Sequence, residues 1–72
     1  MTVFACDGGH RVEADAQAAV VHLADGREIR IERAPDDATR FAGEALAFRR
    51  TGLEGELSQD EGGRFACKAE AS

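Results

Sequence analysis

Apolar and polar residues alternate along almost the whole chain, in short segments separated by turn residues, which is the period of strands with one buried face. Glu28 to Arg33 is the cleanest case, with Ile29 and Ile31 facing one way and Glu28, Arg30 and Glu32 the other. Asp25-Gly26 stands just before it and predicts a type I′ hairpin turn, whose two central residues both need positive φ. The partner strand across that turn is Ala19 to Ala24. Val3 to Cys6 leads into the turn Asp7-Gly8-Gly9, after which Val12, Ala14 and Ala16 alternate with polar neighbours. Later in the chain Leu46 and Phe48 alternate within Glu44 to Arg50, Gly55 and Leu57 within Glu54 to Ser58, and Phe65 and Cys67 within Arg64 to Lys68. Thr51-Gly52 and Asp60-Glu61-Gly62-Gly63 are the turns between these last strands. Ala34-Pro35-Asp36-Asp37 breaks the alternation, because Pro35 has no amide hydrogen to give a ladder, and the longest loop is expected there.

Seven or eight short strands joined by hairpin turns predict an antiparallel barrel or sandwich. Phe4, Val12, Ile29, Ile31, Leu46, Phe48, Leu57 and Phe65 are its expected core. Two stretches fit a helix as well. Ala16, Ala19, Val20 and Leu23 share a helical face, and Asp36 could cap a helix through Phe41, Ala45 and Phe48. Gly43 inside the second stretch and the Ile29/Ile31 hairpin beside the first favour strands.

A chain of 72 residues is a single domain, here residues 1–72, with a thin core that needs further support. Cys6 and Cys67 could supply it, because a bond between them would close nearly the whole chain into one loop. Phe4-Ala5-Cys6 and Phe65-Ala66-Cys67 look alike, which suggests two terminal strands side by side. The alternative is a pair of free thiols in a reducing compartment. The formal charge of −5 disfavours nucleic acid, whose phosphates call for clustered Lys and Arg, and favours a cationic partner. An apolar share of 43% is that of a globular chain, and no apolar run reaches membrane-spanning length.

Candidate chemistry is sparse. Cys6, His10, His22 and Cys67 have the atoms of a zinc site but not its close-paired spacing, so no metal and no cofactor is expected. Asp36 with Asp37, or Glu54 with Glu56, would need a desolvated member for acid and base work, and a core this thin offers no such place. Without a Cys-His pair, a glycine-rich loop opening a helix or a serine in a sharp turn, no enzymatic role is expected.

In order, the elements resemble the membrane-bound and periplasmic inhibitors of C-type lysozyme, over almost the whole chain. Phe4-Ala5-Cys6 with Asp7-Gly8-Gly9 is similar to that family's opening aromatic-x-Cys and turn, and Val20 to Ile31 to its apolar hairpin around an Asp-Gly turn. Asp37-Ala38-Thr39-Arg40-Phe41 stands where the family has Ser-Gly-x-Arg-Tyr. Phe48-Arg49-Arg50-Thr51-Gly52-Leu53-Glu54-Gly55-Glu56-Leu57 stands where it has Phe-Trp-x-Lys-Gly-x-x-Ala-x-Leu, and Phe65-Ala66-Cys67 matches its closing strand. The resemblance implies an eight-stranded antiparallel barrel with a terminal disulfide. It also implies export to the periplasm or outer membrane of a Gram-negative bacterium, with any membrane anchor carried by a segment outside this chain.

The partner so implied is C-type lysozyme, bound by loops that enter its cleft and meet its catalytic carboxylates through the family's Ser and Lys. This chain has Asp37 in place of that Ser and Thr51 in place of that Lys. Lysozyme-contact candidates are therefore Asp37, Arg40, Arg49, Arg50 and Thr51. Arg49 shares a strand face with Thr51 about 6.6 Å away, so its guanidinium could stand in for the missing cation. The two replacements leave either a weakened or retargeted inhibitor, or a barrel of the same fold used as an envelope structural or adaptor module.

Overall fold

The computed structural model describes residues 2–43, 45–60 and 62–70. Eight strands follow one another: β1 (Thr2–Cys6), β2 (Arg11–Ala14), β3 (Ala18–His22), β4 (Glu28–Ala34), β5 (Asp37–Ala42), β6 (Leu46–Thr51), β7 (Glu54–Gln59) and β8 (Arg64–Ala69). Each pairs antiparallel with the next, and β8 returns to β1, so the sheet closes into an up-and-down barrel. Among the described residues the helical structure is one 3₁₀ turn, Asp7–Gly9. In both stretches that also fitted a helix the described residues are strand and turn, consistent with the two-residue period outweighing their alanine content.

Closure is completed by the disulfide. Cys6 and Cys67 lie directly opposite one another in the β1–β8 register and are bonded across a sequence separation of 61. The two Phe-Ala-Cys segments are thus neighbours, as their likeness suggested, although Phe65 is only half-buried while Phe4 is fully enclosed.

The core consists of Phe4, Val12, Ala14, Ala19, Val21, Leu23, Ile31, Phe41, Leu46, Phe48, Leu57 and Cys67. Phe48 stands at its centre, edge-on to Phe4 at 5.0 Å and tilted against Phe41 at 6.3 Å. Gly55 makes room for it: a Cβ built there would lie 2.5 Å from Phe48 Cζ, inside any real contact distance. Of the expected core, Ile29 and Phe65 pack against the cluster from partly exposed positions near strand ends.

Several local expectations are corrected. Ala16 is exposed in the bend after β2 rather than continuing its alternation. The Asp25-Gly26 hairpin exists, but not as a type I′ turn, because among these two residues only Gly26 has positive φ, 100°. Gly26 N–H donates to Leu23 C=O at 2.9 Å and Leu23 N–H to Arg27 C=O at 2.8 Å, a three-residue loop with glycine in the left-handed position. Pro35 does not open the longest loop. Ala34 and Asp37 are register partners, so Pro35 and Asp36 form a tight turn, for which a fixed φ near −65° is well suited. The longest connection is 23–27. The irregularity lies inside β5 instead: the register jumps from Arg33↔Phe41 to Ala34↔Asp37, leaving Ala38, Thr39 and Arg40 as a bulge without β4 partners. The strand expected from Glu44 begins at Leu46; Glu44 and Glu61 lie outside the described residues.

Candidate functional site

In an up-and-down barrel alternate connections emerge at opposite ends. The β2–β3 loop and the β4–β5 and β6–β7 turns share what is called here the upper rim; the other connections form the lower one. Asp37 to Arg40 open β5 and Arg49 to Thr51 close β6, so all five contact candidates gather at the upper rim on adjacent strands, with Arg40 directly opposite Arg49.

Asp37 organises the bulge. Its Oδ1 accepts the Thr39 hydroxyl at 2.6 Å and the Thr39 amide at 2.9 Å, a turn in which the side chain mimics backbone. Its Oδ2 lies 3.4 Å from Arg49 Nη2. The Thr39 hydroxyl first, then the Thr39 amide, with Arg49 adding, hold the Asp37 carboxyl below its ordinary value. Asp37 thus engages Arg49, the cation expected from the sequence to cover for Thr51. Arg49 is nevertheless exposed, and solvent-exposed ion pairs of this kind are weak enough for a competing carboxylate to replace one partner.

Arg50 has a different position. It is half-buried, its guanidinium carbon lies 5.5 Å from the centre of the Phe4 ring, and its Nε donates to Gly52 C=O at 3.3 Å. Strand alternation explains the division: Arg49 and Thr51 are exposed on one face, whereas Arg50 shares the inward parity of Phe48 and covers the top of the core. Thr51 pairs with Glu54 across the β6–β7 turn.

Two rim residues escaped the sequence reading. Leu53, at the tip of the β6–β7 turn, is 74% exposed, the large apolar side chain most open to solvent among the described residues. Arg33 pairs with Phe41 and so belongs to the inner face at the same mouth. Its signal was present, since extending the Ile29/Ile31 alternation by two residues places Arg33 on their side.

Among the described residues no group of three or more His, Cys, Asp or Glu side chains is placed to hold a metal ion. His10 Nδ1 accepts the Ala24 amide at 3.1 Å, and its ring meets Phe65 edge-on at 4.5 Å. His22 lies between Glu28, 3.0 Å from Nδ1, and Glu13, 3.5 Å from Nε2. Both sulfurs of the Cys/His quartet are in the disulfide, which leaves no thiolate for a metal. Compared with known proteins, the chain matches no family model, no curated protein and no solved structure.

Proposed function

We propose that this chain is an exported, non-enzymatic protein-binding domain that presents its upper rim to C-type lysozyme, with affinity weakened by its two replaced contact positions. One observation carries the reading: the segments that the resemblance singles out, around Asp37 to Arg40 and Arg49 to Gly52, meet on neighbouring strands at one end of the barrel. Closure of the barrel supports it, because strand addition needs a free sheet edge and binding here falls to loops and side chains. A net charge of −5 supports it too, by steering a cationic partner towards the domain.

Within this reading Arg40 and Arg49 meet the carboxylates of the cleft, and Leu53 adds an apolar contact beside them. Arg49 must exchange Asp37 for its new partner, so binding is weak and salt-sensitive. The Asp37–Arg49 pair also favours a second reading, a barrel of the same design acting as an envelope module without lysozyme activity. Lysis assays on the oxidised domain separate the two, with C-type, goose-type and invertebrate-type enzymes compared at low and high salt. Inhibition restricted to the C-type enzyme and relieved by salt supports the first reading. A folded domain that inhibits none of them replaces it with the second.

A further inference from the structure

The upper mouth of the barrel carries charge for which the rim contacts have no use. An open cavity of about 400 Å³ lies there, lined among others by Ala14, Asp15, Arg33, Ala38, Phe41 and Arg50. Small side chains at the ends of the strands leave the space, and Phe41, only 2% exposed, gives it an apolar floor. We infer that this mouth binds a small organic monocarboxylate, its carboxylate held by Arg33 and Arg50 and its apolar body resting on Phe41 and the alanines.

What sets these two arginines apart is that both line the cavity and neither is neutralised by a close carboxylate. Arg11, Arg27 and Arg49 each have a carboxylate within 4.0 Å, at Glu70, Asp25 and Asp37, whereas Arg33 and Arg50, like Arg30, Arg40 and Arg64 outside the cavity, have none among the described residues. Arg50 is also positioned in advance. Its Nε donates to Gly52 C=O, its guanidinium carbon lies 5.5 Å from the centre of the Phe4 ring, and its two terminal nitrogens have no hydrogen bond to any described residue. A guanidinium fixed in this way loses little freedom on pairing with a carboxylate, and the apolar floor strengthens the pair by excluding water from one side.

Asp15 sets the charge of the ligand. Its Oδ1 accepts the Gln17 amide at 2.7 Å and the Ala18 amide at 2.8 Å, and Arg30 is a nearby counter-charge on the outer side. With one carboxylate against two guanidinium groups the lining keeps a single net positive charge, which suits a monoanion better than a dianion. The cavity described at the lower mouth differs. Its volume is about 160 Å³, its arginine, Arg27, is already paired with Asp25 at 2.8 Å, and Asp60 lines it as well.

The inference is independent of the lysozyme reading, and its test involves no lysozyme. The oxidised, isotope-labelled domain is titrated with hexanoate, hexan-1-ol and inorganic phosphate while amide resonances are followed by NMR. Hexanoate should give saturable shifts at Ala14, Asp15, Ala38 and Phe41, with hexan-1-ol and phosphate binding about tenfold more weakly or not at all. Arg33→Gln, which removes an exposed guanidinium with no hydrogen bond to any described residue, should weaken hexanoate about tenfold. Arg50→Gln should do the same, with Arg33→Gln serving as the decisive variant if loss of the cover over Phe4 unfolds the domain. The inference is overturned by any of three results: no saturable shifts at the mouth, phosphate binding as tightly as hexanoate, or unchanged hexanoate affinity in folded Arg33→Gln.

Discussion

Reducing the Cys6–Cys67 bond attacks the barrel where it closes. Among the described residues the β1–β8 seam has three register pairs, Phe4↔Ala69, Ala5↔Lys68 and Cys6↔Cys67, and the disulfide joins the last of them. For a separation of 61 residues the chain-entropy argument gives the bond about 4 kcal/mol. A domain of this size has roughly 5 kcal/mol in all, so the reduced barrel should keep only about 1 kcal/mol and be partly unfolded at room temperature. Urea titrations followed by far-ultraviolet circular dichroism, with and without a phosphine reductant, measure this directly. With a slope of about 1 kcal/mol per molar, the midpoint should fall by roughly 3 to 4 M. A Cys6→Ala/Cys67→Ala variant should behave like the reduced protein, and alanine is the right substitute because Cys67 is 2% exposed and a serine would bury a hydroxyl. A reduced midpoint within about 1 M of the oxidised one would refute the argument, and the strand pairing itself would then have to hold the seam closed.

Gly55→Ala should cost about 1 to 3 kcal/mol, because its methyl group meets Phe48 Cζ and Cε1 in a filled core; an unchanged thermal midpoint would remove Phe48 as the reason for that glycine. In acid the oxidised domain should lose stability as pH falls below about 4. Asp15, Asp25 and Asp37 have carboxyl values lowered in the fold, chiefly by hydrogen bonds from Gln17, Arg27 and Thr39 respectively. Their stabilisation is therefore complete above the unfolded carboxyl value and is lost as pH drops through the lower folded values. Urea midpoints that stay level from pH 6 to pH 2 would contradict this.

Strand existence was legible wherever alternation ran beside a turn dipeptide, as at Ile29 and Ile31 after Asp25-Gly26, because burial of one sheet face leaves a two-residue period in the sequence. The disulfide was legible from two matching terminal segments. Turn geometry was less so. Pro35 signals a chain that cannot give a ladder hydrogen bond, yet the same fixed φ makes a tight turn, and the surplus residues appear three positions later as the bulge at Ala38 to Arg40. The partnership of Asp37 with Arg49 could not be read locally, since it depends on how that bulge brings the start of β5 beside β6. Arg33 and Arg50 share the inward parity of Ile31 and Phe48, a signal the sequence reading did not use, because positive charge on an inner face reads as surface until the strand is known to end there.

Binding to C-type lysozyme by the parent domain and by a Thr51→Lys/Asp37→Ser variant, measured by calorimetry at low and high salt, tests the central claim most directly. The double variant supplies a cation at the β6 end and releases Arg49 from its internal partner. Serine can still accept the Thr39 amide, and matching NMR spectra away from the rim would show that the barrel is preserved. The account predicts weak, salt-sensitive binding by the parent and about tenfold tighter binding by the variant, the value of one charge-assisted contact. If neither protein binds while both are folded, the rim is not a lysozyme-binding surface and the account of this chain as an inhibitor is wrong.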